Sequence, residues 1–190
     1  MARARCRREG ILRSERVLVH SMSQDEATGT LTQQTLLSTL KLEQRISDVL
    51  STHGVECLRG RDKRCFFLSP LAFWDHDEGA LMSDPSVLET LKLAKNVSVS
   101  GVTVTPEMVL AGRESNDPDS DDVDMATFLV LTYLFPDSDC LRNSAHFTWL
   151  RVLEEAARPS GDLLMQAQVP HLVALEVSLS TYLGSHVRRC

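Results

Sequence analysis

Long apolar runs are missing from this sequence. No stretch reaches the roughly 18 apolar residues that a membrane-spanning helix needs, and no signal-peptide hydrophobic region stands out. The chain as it stands is expected to carry no anchor and no secretion signal of its own. Cysteine is scarce: Cys6, Cys57, Cys65, Cys140 and Cys190 are too few for a disulfide scaffold and never fall as CxxC. The spacing of His53, Cys57, Cys65 and His76 fits no common zinc pattern, so neither a metal nor any other cofactor is expected. The signatures GxSxG, HExxH and GxxxxGK(S/T) are all absent, which argues against the commonest nucleophile, metalloprotease and nucleotide chemistries. A basic excess is lacking too. The net charge of −6 favours solubility and leaves no electrostatic footprint for nucleic acid.

What charge there is lies unevenly. Six arginines (Arg3, Arg5, Arg7, Arg8, Arg13, Arg16) crowd the first sixteen residues. Such an arm suits a transit peptide, a polybasic membrane patch or a disordered terminus, and residues 1–15 are read as the last of these. Asp117, Asp119, Asp121, Asp122 and Asp124 form an acidic run that resembles a calcium loop in charge alone. Its sixth position is Asp122 where a Gly makes the turn, and its twelfth is Phe128 where a bidentate Glu belongs, so a solvated loop is expected.

The remainder is globular. At 190 residues and 43% hydrophobic, the chain can bury a core without staples and fits one domain with tails. Arg16–His20 reads as a strand. Thr30 and Gln33 match a capping box for a helix reaching about Leu50, which His53-Gly54 ends. Cys65–Leu68 reads as a second strand stopped by Ser69-Pro70. Asp84-Pro85 and Thr105-Pro106 are helix starts, because a Pro in the first turn lacks only an amide that would be unused there, and Gly112 can close the second, short helix. Met125–Phe135 is a strand rich in apolar and β-branched residues. A helix capped by Asn143 or Ser144 carries Trp149, Leu153 and Ala156 on one face, and a last strand spans about 171–179. The order β-α-β-insertion-β-α-β is that of a ferredoxin-like split βαβ fold of the α+β class. Its antiparallel sheet would carry helices on one face, within a domain over 16–180 holding a helical insertion at 84–124 and followed by a tail at 181–190.

Few residues invite chemistry. Asp75-His76-Asp77-Glu78 is the densest titratable cluster, able in principle to supply a general base or a metal ligand, although such runs are more often solvated loops. Cys65 beside Arg64 suits an activated thiol less well than a structural role. Trp149 falls on a helical apolar face. Trp74 follows Phe73 in a segment expected to pack irregularly onto the sheet. Asn96-Val97-Ser98 is a glycosylation sequon.

The segment Cys65-Phe-Phe-Leu-Ser-Pro-Leu-Ala-Phe-Trp-Asp, followed by Ser83-Asp84-Pro85-Ser-Val-Leu-Glu-Thr-Leu, resembles part of the first lumenal loop of SREBP cleavage-activating proteins, fungal-type members especially. Ser69, Pro70, Phe73, Trp74, Asp84 and Pro85 carry the motif as structural residues. Leu31–Ile46 and Met125–Cys140 are similar as well, so the likeness spans roughly 17–179. Patched-like and Niemann-Pick-type transporters share the architecture. The resemblance implies a non-catalytic, lumen-facing part of an endoplasmic reticulum membrane protein that escorts SREBP to the Golgi under sterol control. Its implied partners are another lumenal loop of the parent protein, SREBP indirectly, and a sterol. In a lumenal setting Asn96 is expected to carry a glycan.

The chain departs from that family in lacking membrane spans, a sterol-sensing segment and a β-propeller. A soluble cytosolic ferredoxin-like module that binds a protein or ligand is the alternative, and a cysteine- or histidine-dependent enzyme is a third reading. Topology adds a disulfide. In the split βαβ order Cys65 opens the second strand and Cys140 follows the third, its antiparallel neighbour, so Cys65–Cys140 is the expected bridge, with Cys57 as competitor for Cys65.

Overall fold

The computed structural model describes residues 12–21, 29–60, 65–114, 125–136, 142–157, 163–169 and 172–177. Strand β1 (Leu12–Ser21) alternates as a half-buried strand should: Glu15, Val17 and Val19 are buried on one face, while Leu12, Ser14 and Arg16 are exposed. It pairs antiparallel with β6 (Met125–Pro136), setting Val17 opposite Leu131 and Val19 opposite Leu129. The strand begins four residues before the expected boundary. Residues 12–15 belong to the sheet rather than to the basic arm, because each has a partner on β6, from Leu12 opposite Pro136 to Glu15 opposite Tyr133.

Helix α1 (Gln33–Thr52) follows. Its N-cap is Thr32, whose hydroxyl accepts from the Thr35 amide at 3.2 Å. The expected cap, Thr30, is occupied elsewhere: it donates to the Thr127 carbonyl at 2.5 Å, and its amide donates to Ala126 O at 2.9 Å. His53 is the C-cap and Gly54 follows at φ +61°, a left-handed exit that glycine adopts without a Cβ penalty. Leu36, Leu40, Ile46 and Leu50 turn one face of α1 into the core, each burial worth about 1.5–3 kcal/mol.

Strand β2 (Phe67–Leu68) pairs with the second half of β6, putting Phe67 opposite Tyr133. A 3-10 helix (Pro70–Trp74) leads to α2 (Glu78–Ser83) and α3 (Val87–Ala94). The start of α3 lies two residues past the expected site. Ser86 is its N-cap, while the Asp84 carboxylate accepts from the Ser86 amide at 2.8 Å and shapes the turn ahead of the helix.

The insertion is less helical than its sequence suggests. A hairpin of β3 (Val97–Val99) and β4 (Val102–Val104) turns through Ser100 and Gly101, both at positive φ as the tightest hairpin turns require. After α4 (Pro106–Val109), capped at Thr105 with Pro in the first turn, the chain enters β5 (Leu110–Glu114). This strand pairs with the first half of β6, so Gly112 lies within the sheet and does not close a helix. The residue sits at φ +61°, where an added Cβ would stand 2.7 Å from the Thr127 hydroxyl oxygen.

Helix α5 (Arg142–Ala157) buries Trp149, Val152, Leu153 and Ala156 and packs against α1, where His53 and Glu155 meet at 2.9 Å. Strand β7 (Leu163–Val169), unforeseen in the sequence, pairs antiparallel with the free edge of β1, and β8 (Leu172–Val177) pairs with β7. The strand expected at 171–179 is therefore an added edge, and the neighbour of β1 precedes it. Among the described residues the sheet runs β2-β6-β1-β7-β8, antiparallel throughout these pairs, with β5 beside β2 along the same strand of β6. The structure is thus a mixed α+β fold built on an antiparallel sheet. The acidic run 117–124 and the tail 181–190 lie outside the described residues.

Candidate functional site

The residues with chemical potential converge where the segment after β2 turns back onto α1. Ser69 is extended and N-caps the 3-10 helix, its hydroxyl oxygen accepting from the Leu71 amide at 3.1 Å, and Pro70 occupies the first helical position. The turn closes through His76 N–H to Leu71 O at 3.0 Å and Asp77 N–H to Trp74 O at 2.8 Å. Closing it puts Asp75 (φ 51°) and His76 (φ 55°) consecutively in the left-handed region. Each such non-glycine residue costs on the order of 1–3 kcal/mol, so surrounding contacts must hold the turn.

Glu43 does much of that holding. Its side chain comes down from α1 and is 2% exposed. One carboxylate oxygen accepts from the Ser69 hydroxyl, and the other lies 3.0 Å from His76 Nδ1. The His76 ring stands edge-on to Phe67 at 5.3 Å, and Phe67 stacks on Tyr133 at 5.0 Å. Burial pushes the Glu43 carboxyl above its ordinary range, against the lowering effect of His76 and Ser69. Burial, and then the Glu43 charge, raise the Tyr133 phenol. Its hydroxyl has no hydrogen-bond partner among the described residues. Directly across the ladder from Tyr133 is Glu15, paired with Arg13 at 2.9 Å.

The cluster has the residue types of a serine-histidine-acid triad without its wiring. Ser69 donates to the carboxylate rather than to His76, and it is fully buried. What the arrangement can do is hold or release a proton at the buried Glu43 carboxyl beside an imidazole. The other members of the Asp75–Glu78 run do not join it. Asp77 caps α2 by accepting from the Ala80 amide at 2.6 Å, and Asp75 and Glu78 are exposed. Among the described residues, no group of three or more His, Cys, Asp and Glu is placed to hold a metal ion.

The family-motif residues divide clearly. Ser69, Pro70 and Trp74 are buried and Phe73 is half-buried against Trp74. The Trp74 indole N–H donates to Asp84 at 2.6 Å, and the Thr90 hydroxyl donates to the same carboxylate oxygen at 2.6 Å. Pro85 is exposed. Trp149 lies in the core against Tyr133 and Phe135, as its helical spacing implied. Asn96 is exposed just before β3, and Ser98 is exposed on that strand.

The expected cross-link is corrected. Cys65 is bridged to Cys57, with Cα atoms 5.4 Å apart, and not to Cys140. The competitor prevails because the segment before β2 folds back on itself. Arg59 bridges Cys65, the Phe66 amide donates to Leu58 O at 2.6 Å, and the Leu58 amide donates to Leu134 O at 2.9 Å. Cys140, like Cys6 and Cys190, lies outside the described residues.

Glu43 is the member of this cluster that motif reading passes over. Its signal was positional: it falls three residues after Leu40 and three before Ile46, a carboxylate in the middle of an apolar helix face. A scan against protein-family models found no matching family, and a search among curated proteins found no match.

Proposed function

We propose that this chain is a non-catalytic, lumen-facing domain of ferredoxin-like split βαβ topology, of the kind found in the first lumenal loop of SREBP cleavage-activating proteins. In this reading it contributes to sterol-regulated escort of SREBP from the endoplasmic reticulum to the Golgi by packing against another lumenal loop of its parent membrane protein. The observation that carries the reading is the joined Ser69–Trp74–Asp84 block. Of the residues that carry the resemblance, Ser69, Trp74 and Asp84 cap, bury and hydrogen-bond this turn, which supports the motif as a structural unit. The strand order β7-β1-β6-β2, with α1 and α5 in its two crossovers, supports the split βαβ assignment. The Cys57–Cys65 bridge supports an oxidising compartment. The non-catalytic reading draws on Ser69, whose hydroxyl is buried and committed to Glu43.

The test is expression behind a cleavable signal sequence, in cells that also express the lumenal loops of an SREBP cleavage-activating protein. Expected are a glycosidase-sensitive band that Asn96→Gln removes, a Cys57–Cys65 cross-link in non-reduced peptide maps, and co-purification with one of those loops. An unmodified Asn96, free thiols at both cysteines and no retained loop would overturn the proposal.

A further inference from the structure

The Glu43 carboxylate of α1 fastens both ends of the Ser69–Asp77 turn, and its two partners are not alike. Ser69 gives a hydrogen bond from a fully buried hydroxyl, whereas the His76 side chain is 29% exposed and opens the pair to solvent. With an ionised carboxylate and a neutral imidazole, the pair places one uncompensated negative charge in the interior. One proton added at the carboxyl makes the pair neutral overall. From β2 the pair meets the apolar ring of Phe67, and from β6 the phenol of Tyr133. Beyond Tyr133 on β1, Glu15 is already engaged by Arg13. Asp75 and Asp77 flank the imidazole and Glu78 begins α2; all three are exposed and negative. The left-handed conformations at Asp75 and His76 add the second element. A turn that needs holding opens when its fastening weakens.

We propose that His76 and Glu43 form a proton-operated latch that fastens the Ser69–Asp77 turn to α1 and fastens it more firmly as the pH falls. The direction follows from linkage. Burial raises the Glu43 carboxyl above its ordinary 4.5, so this carboxyl binds a proton in the closed turn that it releases in the open one. The stabilisation is fully present below about 4.5 and is lost as the pH rises through the raised value. One proton sets the limit: the opening constant of the turn changes by at most about tenfold per pH unit. The latch is independent of where the protein resides, so the lumenal reading and this one can fail separately.

Amide hydrogen exchange of the whole chain between pH 5 and 8, corrected for intrinsic exchange rates, reads the opening directly. Protection of the His76 and Asp77 amides is expected to rise as the pH falls, by up to about tenfold per unit, while amides of the β1–β6 ladder change little. Glu43→Gln keeps an acceptor for Ser69 and a donor for His76, and it is expected to abolish the slope. Should that variant not fold, the contrast between turn and ladder within the wild-type chain decides. Equal slopes at both places, no slope at the turn, or a slope that survives Glu43→Gln would each overturn the latch.

Discussion

Glu43 and Asp84 grip the same turn from two sides. Glu43 reaches its beginning and end from inside, off α1, where it is 2% exposed; Asp84 reaches Trp74 from the linker between α2 and α3 and stays partly exposed. For Asp84 too, burial pushes the carboxyl upward. There, however, hydrogen bonds from Thr90, Trp74 and the Ser86 amide together outweigh it, and the carboxyl ends below its ordinary value. At Glu43 burial wins over His76 and Ser69. Removal from water is nearly complete at one site and partial at the other, and that difference sets the sign. The inner grip is therefore one that protons strengthen, and the outer grip one that protons weaken.

The strongest way to break the comparison is to remove what both grips hold. Trp74 is 5% exposed and supplies one of the three donors to Asp84. Trp74→Ala is expected to cost about 3–5 kcal/mol in chemical denaturation, through lost packing and the cavity left behind. Trp74→Phe keeps most of the bulk and loses only the indole N–H, so it should cost closer to 1 kcal/mol. Equal losses in the two variants would mean that the hydrogen bond, not the packing, secures the outer grip.

Next in size is the tether ahead of the turn. Cys57 and Cys65 are separated by eight residues, and closing so short a loop is worth about 2.5 kcal/mol by chain entropy. The double variant Cys57→Ser, Cys65→Ser should lower the unfolding free energy by about that amount and loosen the pairing of Phe67 with Tyr133 at the edge of β6. A longer loop through Cys140 would give roughly 4.5 kcal/mol by the same reasoning. A measured loss of that larger size would therefore count against the short bridge.

How much of this was legible depended on whether the signal was local. The helices α1 and α5, the strand β6 and the core position of Trp149 follow from apolar spacing, which is written within a few residues. Strand β7 was missed because its sequence, Leu163 to Val169, includes Met165, Gln166 and Gln168 and lacks a β-branched run; it is a strand because β1 offers it an edge. Strand β5 escapes a local reading for a similar reason, since Gly112 reads as the stop of a short helix until β6 is seen beside it. The caps slipped by two residues at Thr32 and Ser86, where more than one residue able to cap lies nearby and tertiary bonds claimed Thr30 and Asp84. In the candidate site, His76 was visible as part of a charged run. Its partner sits 33 positions away on another element, and only the fold brings the two together.

The smallest effect is the most direct test of the opposed signs. Asp84 is held below its ordinary 3.8, so the folded state releases its proton more readily than the unfolded chain does. Its contribution is present above about 3.8 and disappears as the pH falls through the lower folded value. Asp84→Asn should therefore flatten the acid limb of stability, measured as denaturant midpoints between pH 5 and 2, while lowering the midpoint slightly at neutral pH through weaker bonds from Trp74 and Thr90. The change should be modest, because a partly exposed carboxylate is screened by water and salt. Glu43→Gln should act in a different interval and with the opposite sign, removing a stabilisation that grows as the pH descends toward 4.5. If Asp84→Asn leaves the acid limb as steep as in the parent, its three hydrogen bonds do not outweigh desolvation in solution. The two carboxylates would then be alike in sign and would differ only in depth.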